Sequence, residues 1–222
     1  MIITLEGAPA VGKSTVAASL GCPVVPEVNR LFGKKPPGST GQDWYLQRQL
    51  DRWQQARSAA SERGMAVLDG DIFQPIWFAA LFWQENWGDS DATAQFFERA
   101  VQLGAAGIPD CFIVLTLAET ERGEREAARC FASGRTADHT SAKIARYAGF
   151  ASFQCNLFAA LDKRFPGLVS FVESSGPAAA TAERIRTLLP NAQRPGPDAL
   201  DFMVEWCRRY KAEQCSHGEG AG

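Results

Sequence analysis

Residues 7–15 read GAPAVGKST and constrain this chain more than any other segment. They match the phosphate-loop pattern G-x-x-x-x-G-K-[ST] through Gly7, Gly12, Lys13 and Ser14. Glycines let the backbone N–H groups of such a loop approach phosphate oxygens, and the following helix presents its positive end to the same anion. In this pattern the lysine reaches the β- and γ-phosphates, and the serine hydroxyl is a ligand for Mg²⁺. The segment therefore predicts a nucleoside triphosphate site formed by Gly7, Ala8, Pro9, Ala10, Val11, Gly12, Lys13, Ser14 and Thr15, with Mg²⁺ as cofactor.

Short β-rich runs alternate with helical segments along the chain. The five runs are 2–5, 23–26, 65–68, 112–117 and 168–172. Apolar spacing predicts long helices over 42–63, 141–165 and 198–212, and the second would begin at Thr140 or Ser141 as its N-cap. Strands separated by helices imply an α/β fold, with a parallel sheet between two helical layers.

Composition and charge exclude several classes of protein. The 222 residues include 23 Lys and Arg and 25 Asp and Glu, a net charge of −2 that argues against a nucleic acid polymer as partner. The apolar runs are shorter than the roughly 18 residues needed to cross a bilayer, and a strand beginning at Ile2 leaves no room for a signal peptide. Six cysteines without a Cys-x-x-Cys pair fit a reduced cytoplasm better than a zinc cluster. We therefore expect a cytoplasmic protein with no membrane partner.

Missing motifs narrow the nucleotide-binding classes further. The chain has no Asn-Lys-x-Asp, no Asp-x-x-Gly and no LSGGQ-like segment. These absences argue against a small GTPase and against a transporter ATPase. A triphosphate site in a chain of this size suits an enzyme that transfers a phosphoryl group to a small acceptor.

The layout resembles the deoxynucleoside kinase and thymidylate kinase-like group of small-molecule P-loop kinases over about residues 1–190. The family has a glutamate after the second strand, an acidic residue at the end of the third, and an arginine-bearing lid after the fourth. The matching residues here are Glu27, Asp69, Arg122, Arg125 and Arg129, with Arg135 nearby. The resemblance implies a five-stranded parallel sheet under a helical lid and transfer of the γ-phosphate of ATP to a hydroxyl or phosphate. Residues 191–222 would then be a linker, a C-terminal helix that packs on the domain or forms a homodimer contact, and a flexible tail.

One position departs from that family pattern. Gly70 stands where those kinases have an arginine that touches the acceptor, and Asp71 adds a second carboxylate. We predict Glu27 as the base, Asp69 as the outer Mg²⁺ partner or a second base, and Asp71 as an acceptor contact. The competing interpretations are a solvated carboxylate for Glu27, a turn or N-cap residue for Asp69, and the N-cap of the helix containing Pro75 for Asp71.

The lid arginines also allow two interpretations. Arg125 and Arg129 are four residues apart on one predicted helix face, where both could meet a polyphosphate and act in catalysis. Glutamates interleaved at 121, 124 and 126 make a surface ion-pair network the alternative. Arg135 follows a glycine and is predicted either to close the substrate site from a loop or to be exposed.

The acceptor pocket is predicted from polar and aromatic side chains. Gln42, Tyr45 and Gln49 form a helix edge that could read a planar ring, and residues 76–87 are aromatic nearly all round, which is more typical of core than of pocket. A nucleoside or nucleoside-like hydroxyl is the leading acceptor, and an antibiotic or other specialised metabolite is the second. The alternative of another class is an accessory protein that binds nucleotide and hydrolyses it slowly.

Overall fold

A five-stranded, all-parallel sheet forms the centre of the protein. The computed structural model describes residues 1–37, 41–85, 89–147, 149–189 and 196–218. The strands are β1 Ile2–Glu6, β2 Val24–Val25, β3 Ala66–Asp69, β4 Cys111–Thr116 and β5 Val169–Glu173, in the spatial order β2-β3-β1-β4-β5. Each overlaps one of the five runs predicted from the sequence, and the predicted α/β sandwich is confirmed.

Helices cover the sheet and connect its strands. They are α1 Lys13–Ser19, α2 Val28–Leu31, α3 Gly41–Arg63, α4 Gln74–Leu81, α5 Ser90–Gln102, α6 Glu119–Ala132, α7 Ala137–Arg146, α8 Phe150–Arg164, α9 Ala178–Leu188 and α10 Asp198–Gly218, with a short 3₁₀ turn at Trp83–Glu85. Helix α1 packs against α9, α3 packs against β3, and α10 packs against α4 and α8. None of these described helices is both long and apolar enough to cross a membrane.

The sheet register brings the functional segments to one edge. Strand β1 is buried along its whole length and pairs with β3 on one side, Leu5 opposite Asp69, and with β4 on the other, Glu6 opposite Val114. Because all strands are parallel, their carboxyl ends lie at the same edge, where ligands bind in such folds. The phosphate loop after β1, Glu27 after β2 and Asp69 at the end of β3 therefore converge.

The single helix predicted over 141–165 is wrong, because the chain forms two helices there. Helix α7 begins earlier and is capped by Thr136, whose hydroxyl accepts a hydrogen bond of 3.3 Å from the backbone N–H of His139. Tyr147 ends α7, and Gly149 is the N-cap of α8. The apolar spacing continues across the break, since Tyr147 packs against Phe150 with ring centroids 5.5 Å apart. Periodicity alone therefore did not mark the boundary.

The C-terminal helix is longer than predicted and is part of the fold. Helix α10 runs to Gly218 rather than to Ala212, so the first part of the predicted flexible tail is helical. Its residues Met203, Val204 and Cys207 are buried in the core. Residues 190–195 of the predicted linker and 219–222 of the predicted tail lie outside the described residues.

Candidate active site

The loop between β1 and α1 has the backbone that the motif requires. Gly7 has a φ of +144°, and a Cβ there would lie 2.6 Å from the carbonyl oxygen of Leu115 and 2.7 Å from Cγ2 of Val11. Only glycine fits that position, since real Cβ atoms do not approach so closely. Gly12, the N-cap of α1, has a left-handed φ of +98°. Among the described residues no side chain makes a capping hydrogen bond at the start of α1.

Lys13 and Ser14 turn toward the same loop and toward β3. Lys13 Nζ donates a hydrogen bond of 2.7 Å to the carbonyl oxygen of Gly7. Ser14 Oγ donates one of 2.6 Å to Oδ2 of Asp69, which is only 2% exposed. The guanidinium of Arg30 lies 3.9 Å from the same carboxylate oxygen. The sheet thus brings together the two residues predicted as magnesium ligands.

Ser14 and Asp69 fit the coordination chemistry of Mg²⁺. The second carboxylate oxygen of Asp69, Oδ1, is buried with no hydrogen-bond partner among the described residues. Mg²⁺ prefers hydroxyl, carboxylate and water oxygens and is usually held by one or two protein groups together with substrate phosphates. The described residues contain no cluster of three His, Cys, Asp or Glu that could hold a metal by itself. A shared site of Ser14, Asp69 and nucleotide phosphates would satisfy the buried oxygen.

A cleft of about 780 Å³ opens over the phosphate loop. Its lining divides into three groups by chemistry. The phosphate loop and start of α1 contribute Gly7, Pro9, Ala10, Gly12, Lys13, Ser14 and Thr15. Charged and polar side chains are Glu27, Asn29, Arg30, Gln74, Arg125, Arg129 and Lys143, and the rings are Tyr45, Phe78, Tyr147 and Phe150. The cleft therefore joins an anion-binding end to an aromatic end, while Ala8 and Val11 of the predicted loop are buried beneath it.

Two of the lid arginines form the predicted ion pairs and also line the cleft. Arg125 Nη2 donates hydrogen bonds of 2.6 Å to Glu121 and 3.2 Å to the carbonyl oxygen of Ser174, and Arg129 pairs with Glu126. Both arginines also line the cleft. Ion pairs therefore hold two cations at the cleft wall.

The other two arginines of the lid region have different surroundings. Arg122 is 1% exposed, and its Nε donates a hydrogen bond of 2.8 Å to Glu119. Arg135 is exposed, and its Nη1 lies 2.7 Å from Nε2 of His139. Arg135 does not line the cleft, so its predicted substrate contact does not fit this arrangement. It lies in the turn between α6 and α7.

Of the three residues predicted on the acceptor edge of α3, only Tyr45 lines the cleft. Burial raises the pKa of Tyr45 to about 12, so its phenol is a neutral hydrogen-bonding group at ordinary pH. Gln42 Nε2 donates a hydrogen bond of 2.6 Å to Thr93 and ties α3 to α5. Gln49 is fully buried and accepts a hydrogen bond of 2.6 Å from Arg52. Gln42 and Gln49 are corrected to structural roles, because those parts of the helix edge pack against protein.

Asp71 is buried beside a second carboxyl group and does not line the cleft. Its backbone N–H donates a hydrogen bond of 2.5 Å to Oε1 of Glu6, whose Oε2 accepts one of 2.6 Å from Gln154. Burial raises the pKa of Asp71 well above its usual range, and the neighbouring Glu6 raises it further. The predicted acceptor contact is therefore corrected to a buried acid pair. Nor does Asp71 cap α4, whose N-cap is Phe73.

Sequence reasoning missed Glu6. This side chain is fully buried, and burial raises its pKa to about 7, although the positive charge of Lys13 opposes the shift. A carboxylate at the end of an otherwise apolar strand, directly before the phosphate loop, was the signal that could have identified it.

Sequence reasoning also missed Arg52. This residue is 1% exposed on α3, and its Nε donates a hydrogen bond of 2.8 Å to the carbonyl oxygen of Pro26. Its Nη2 donates to the carbonyl oxygens of Asp69 at 2.8 Å and Gly70 at 2.7 Å. Arg52 thereby fixes the ends of β2 and β3, next to Glu27 and Asp69. The sequence signal that could have identified Arg52 is its position beside Trp53, one of the apolar residues whose spacing predicts this helix.

The aromatic segment after β3 is divided between core and cleft. Trp77 is fully buried, and its ring lies 5.6 Å from that of Phe150. Phe78, the next residue, lines the cleft. Helix α4 therefore contributes aromatic side chains both to the core and to the cleft. Residues 86–88, which include Trp87, lie outside the described part of the chain.

Solved structures share this architecture. No protein-family model and no curated protein matches the chain. A structure of deoxyadenosine kinase from M. mycoides with bound dATP is similar with a TM-score of 0.51 and 16% identity, covering 86% of this chain and 100% of that one. A structure of deoxyadenosine kinase from M. mycoides with bound dCTP has a TM-score of 0.51 and 15% identity, covering 86% and 99%. The chain shares the fold of these deoxyadenosine kinase structures, as its sequence resemblance predicts.

Proposed function

We propose that the protein is an ATP-dependent phosphotransferase that moves the γ-phosphate to a hydroxyl of a nucleoside or nucleoside-like molecule. One observation carries this proposal: a single cleft contains the phosphate loop, the carboxylate of Glu27 and the rings of Tyr45 and Phe78. A protein that only binds nucleotide needs no carboxylate and no aromatic rings in the same cleft as the triphosphate site. Phosphoryl transfer needs a positioned acceptor, stabilised negative charge and a group that takes a proton.

Each residue of the cleft would have a distinct role in this phosphoryl transfer. The acceptor oxygen would form a bond to the γ-phosphorus, and the bond from that phosphorus to the β–γ bridging oxygen would break to release ADP. Glu27 would take the proton of the acceptor hydroxyl. Lys13, Arg125 and Arg129 would stabilise the charge on the transferred group. Ser14 and Asp69 would hold Mg²⁺, which supplies neutralisation of phosphate charge when bound.

The aromatic end of the cleft supports a ring-bearing acceptor. Phe78 and Phe150 lie 5.9 Å apart between ring centroids, and Gln74 adds a side-chain amide to the same wall. Rings bind planar faces and an amide can donate and accept hydrogen bonds at a ring edge. The fold of deoxyadenosine kinase supports the same class of acceptor.

A screen for acceptor-dependent ADP release tests the proposal. We expect Mg-ATP with one or more nucleosides to give ADP and, by mass spectrometry, an acceptor heavier by one phosphate. Glu27→Gln should bind ATP normally and lose most turnover, whereas the exposed Glu124→Gln should not change it. ADP release that no acceptor increases would contradict the proposal and favour slow hydrolysis by an accessory protein. Phosphorylation of antibiotics but not of nucleosides would indicate that the acceptor is an antibiotic or another specialised metabolite.

A further inference from the structure

The carboxylate of Glu126 lies between cations from two lid helices. Glu126 is on α6 and only 1% exposed. Its Oε1 lies 2.7 Å from Nζ of Lys143 on α7, and its Oε2 pairs with Arg129, one turn further along α6. This buried carboxylate therefore joins α6 to α7 at one point.

The charges at this point do not balance. One carboxylate faces two cations, which leaves one positive charge, and both Arg129 and Lys143 line the cleft. An anion in the cleft could neutralise that charge. Because Glu126 already restrains both side chains, they lose less conformational entropy when they bind it than free surface cations would.

Helix α7 presents a ring as well as a cation to the cleft. Lys143 and Tyr147 are four residues apart and share a helix face. Both line the cleft, and Tyr147 lies 5.5 Å from the ring of Phe150 at its aromatic end. Tyr147 is the C-cap of α7, so Lys143 and Tyr147 both belong to the last turn of this helix.

We propose that Lys143 is a third lid cation that binds the phosphate groups of the nucleotide, and that Glu126 positions it together with Arg129. The anion is a polyphosphate, since the phosphate loop lines the same cleft as these cations. The part played in turnover rests on the proposed function, but the binding of phosphate by Lys143 does not.

Binding of inorganic tripolyphosphate, measured by calorimetry, tests Lys143 without any acceptor. Lys143→Met should weaken affinity roughly 10-fold, the effect of losing one charge-assisted hydrogen bond. Lys143→Arg should restore most of it. Lys163→Met, which removes an exposed lysine of α8 outside the cleft, should match the wild type. Equal affinity of Lys143→Met and wild type would overturn the proposal.

Turnover tests the positioning role of Glu126. Glu126→Gln should lower kcat roughly 10-fold, because Arg129 and Lys143 lose the carboxylate that positions them. The affinity for tripolyphosphate should stay within about threefold of the wild type, because the added net positive charge offsets the greater freedom of these two side chains. A residue that served only as a counter-charge would instead tighten binding and leave kcat unchanged, which would overturn this role. If the glutamine variant does not fold, Glu126→Asp replaces it, with the same expected fall in kcat. If the wild type binds tripolyphosphate but phosphorylates no acceptor, the proposed function is contradicted. The tripolyphosphate affinities of the Lys143 variants would still show whether Lys143 binds phosphate.

Discussion

The guanidinium of Arg52 donates a hydrogen bond of 2.7 Å to the carbonyl oxygen of Gly70. Position 70 is where the family resemblance leads one to expect an arginine side chain. Here that position has a left-handed φ of +84°, and the buried arginine comes from α3 instead. It binds backbone carbonyl oxygens rather than reaching the cleft. The cation therefore holds the strand ends that carry Glu27 and Asp69.

Replacing Arg52 should destabilise the protein strongly. Arg52→Met would leave the carbonyl oxygens of Pro26, Asp69 and Gly70 without their buried donor. We expect the free energy of unfolding to fall by about 3 kcal/mol, as is usual when one partner of a buried charged network is removed. Urea denaturation measures this difference. Arg63→Met, at the exposed end of the same helix, should stay within about 0.5 kcal/mol of wild type, and an equal loss in both variants would contradict the role of Arg52.

Removing Lys13 should have the opposite pattern, with a large effect on catalysis and a small one on stability. Its Nζ donates a hydrogen bond to the carbonyl oxygen of Gly7, and Lys13 lines the cleft together with the phosphate loop. Lys13→Ala should reduce acceptor-dependent ADP release roughly 1000-fold, since preorganised charge supplies much of the stabilisation in phosphoryl transfer. The urea midpoint should hardly move. Turnover like that of the wild type would remove Lys13 from the catalytic residues.

The features predicted correctly from sequence are those that local residues determine. The phosphate loop follows from glycines and a lysine at fixed spacing, and the five strands follow from short β-rich runs between turn residues. The convergence of Glu27 and Asp69 at one edge of the sheet follows from parallel topology. No distant contact was needed for any of these.

The predictions that were wrong concern side chains whose surroundings depend on contacts with residues far away in the sequence. Gln42 and Gln49 share an edge of α3 with Tyr45, but only the structure shows which parts of that edge face protein. Asp71 follows a strand end like Asp69, yet its side chain is buried beside Glu6 rather than in the cleft. Lys143 was not identified from the sequence, because its ion pair with Glu126 joins two helices that local residues do not place side by side.

Each lid arginine that lines the cleft should contribute to the rate. Arg125→Ala and Arg129→Ala should each lower kcat about 10- to 100-fold and change the KM for ATP less, because their charge stabilises the transferred group most in the transition state. Steady-state kinetics with the best acceptor of the screen measures both constants. Arg99→Ala, an exposed arginine on α5, should match the wild type. Wild-type kcat in both lid variants would show that their ion pairs with glutamates are purely structural.

The buried pair of Glu6 and Asp71 should make stability depend on pH. Burial raises the pKa of Glu6 from its ordinary value of 4.5 to about 7 in the folded protein, because it disfavours the charged form. Between these values the folded protein binds more protons than the unfolded chain, so the free energy of unfolding falls as pH rises. The stabilisation is complete below about pH 4.5 and is lost as pH passes 7. Above about pH 8, the raised pKa of Glu6 makes the free energy of unfolding about 3 kcal/mol lower than it is below pH 4.5.

Glu6→Gln should remove most of this dependence, because the amide is neutral at every pH and can still accept the hydrogen bond from the backbone N–H of Asp71. We expect the wild type to lose about 2 kcal/mol of unfolding free energy between pH 5.5 and 8.5, and the variant to lose much less. Urea denaturation at the two pH values measures both. Glu205→Gln, which changes an exposed glutamate of α10, should retain the wild-type slope. If Glu6→Gln also retained it, the slope would have to come from Asp71 or from another group, and Glu6 would be charged in the folded protein throughout this range.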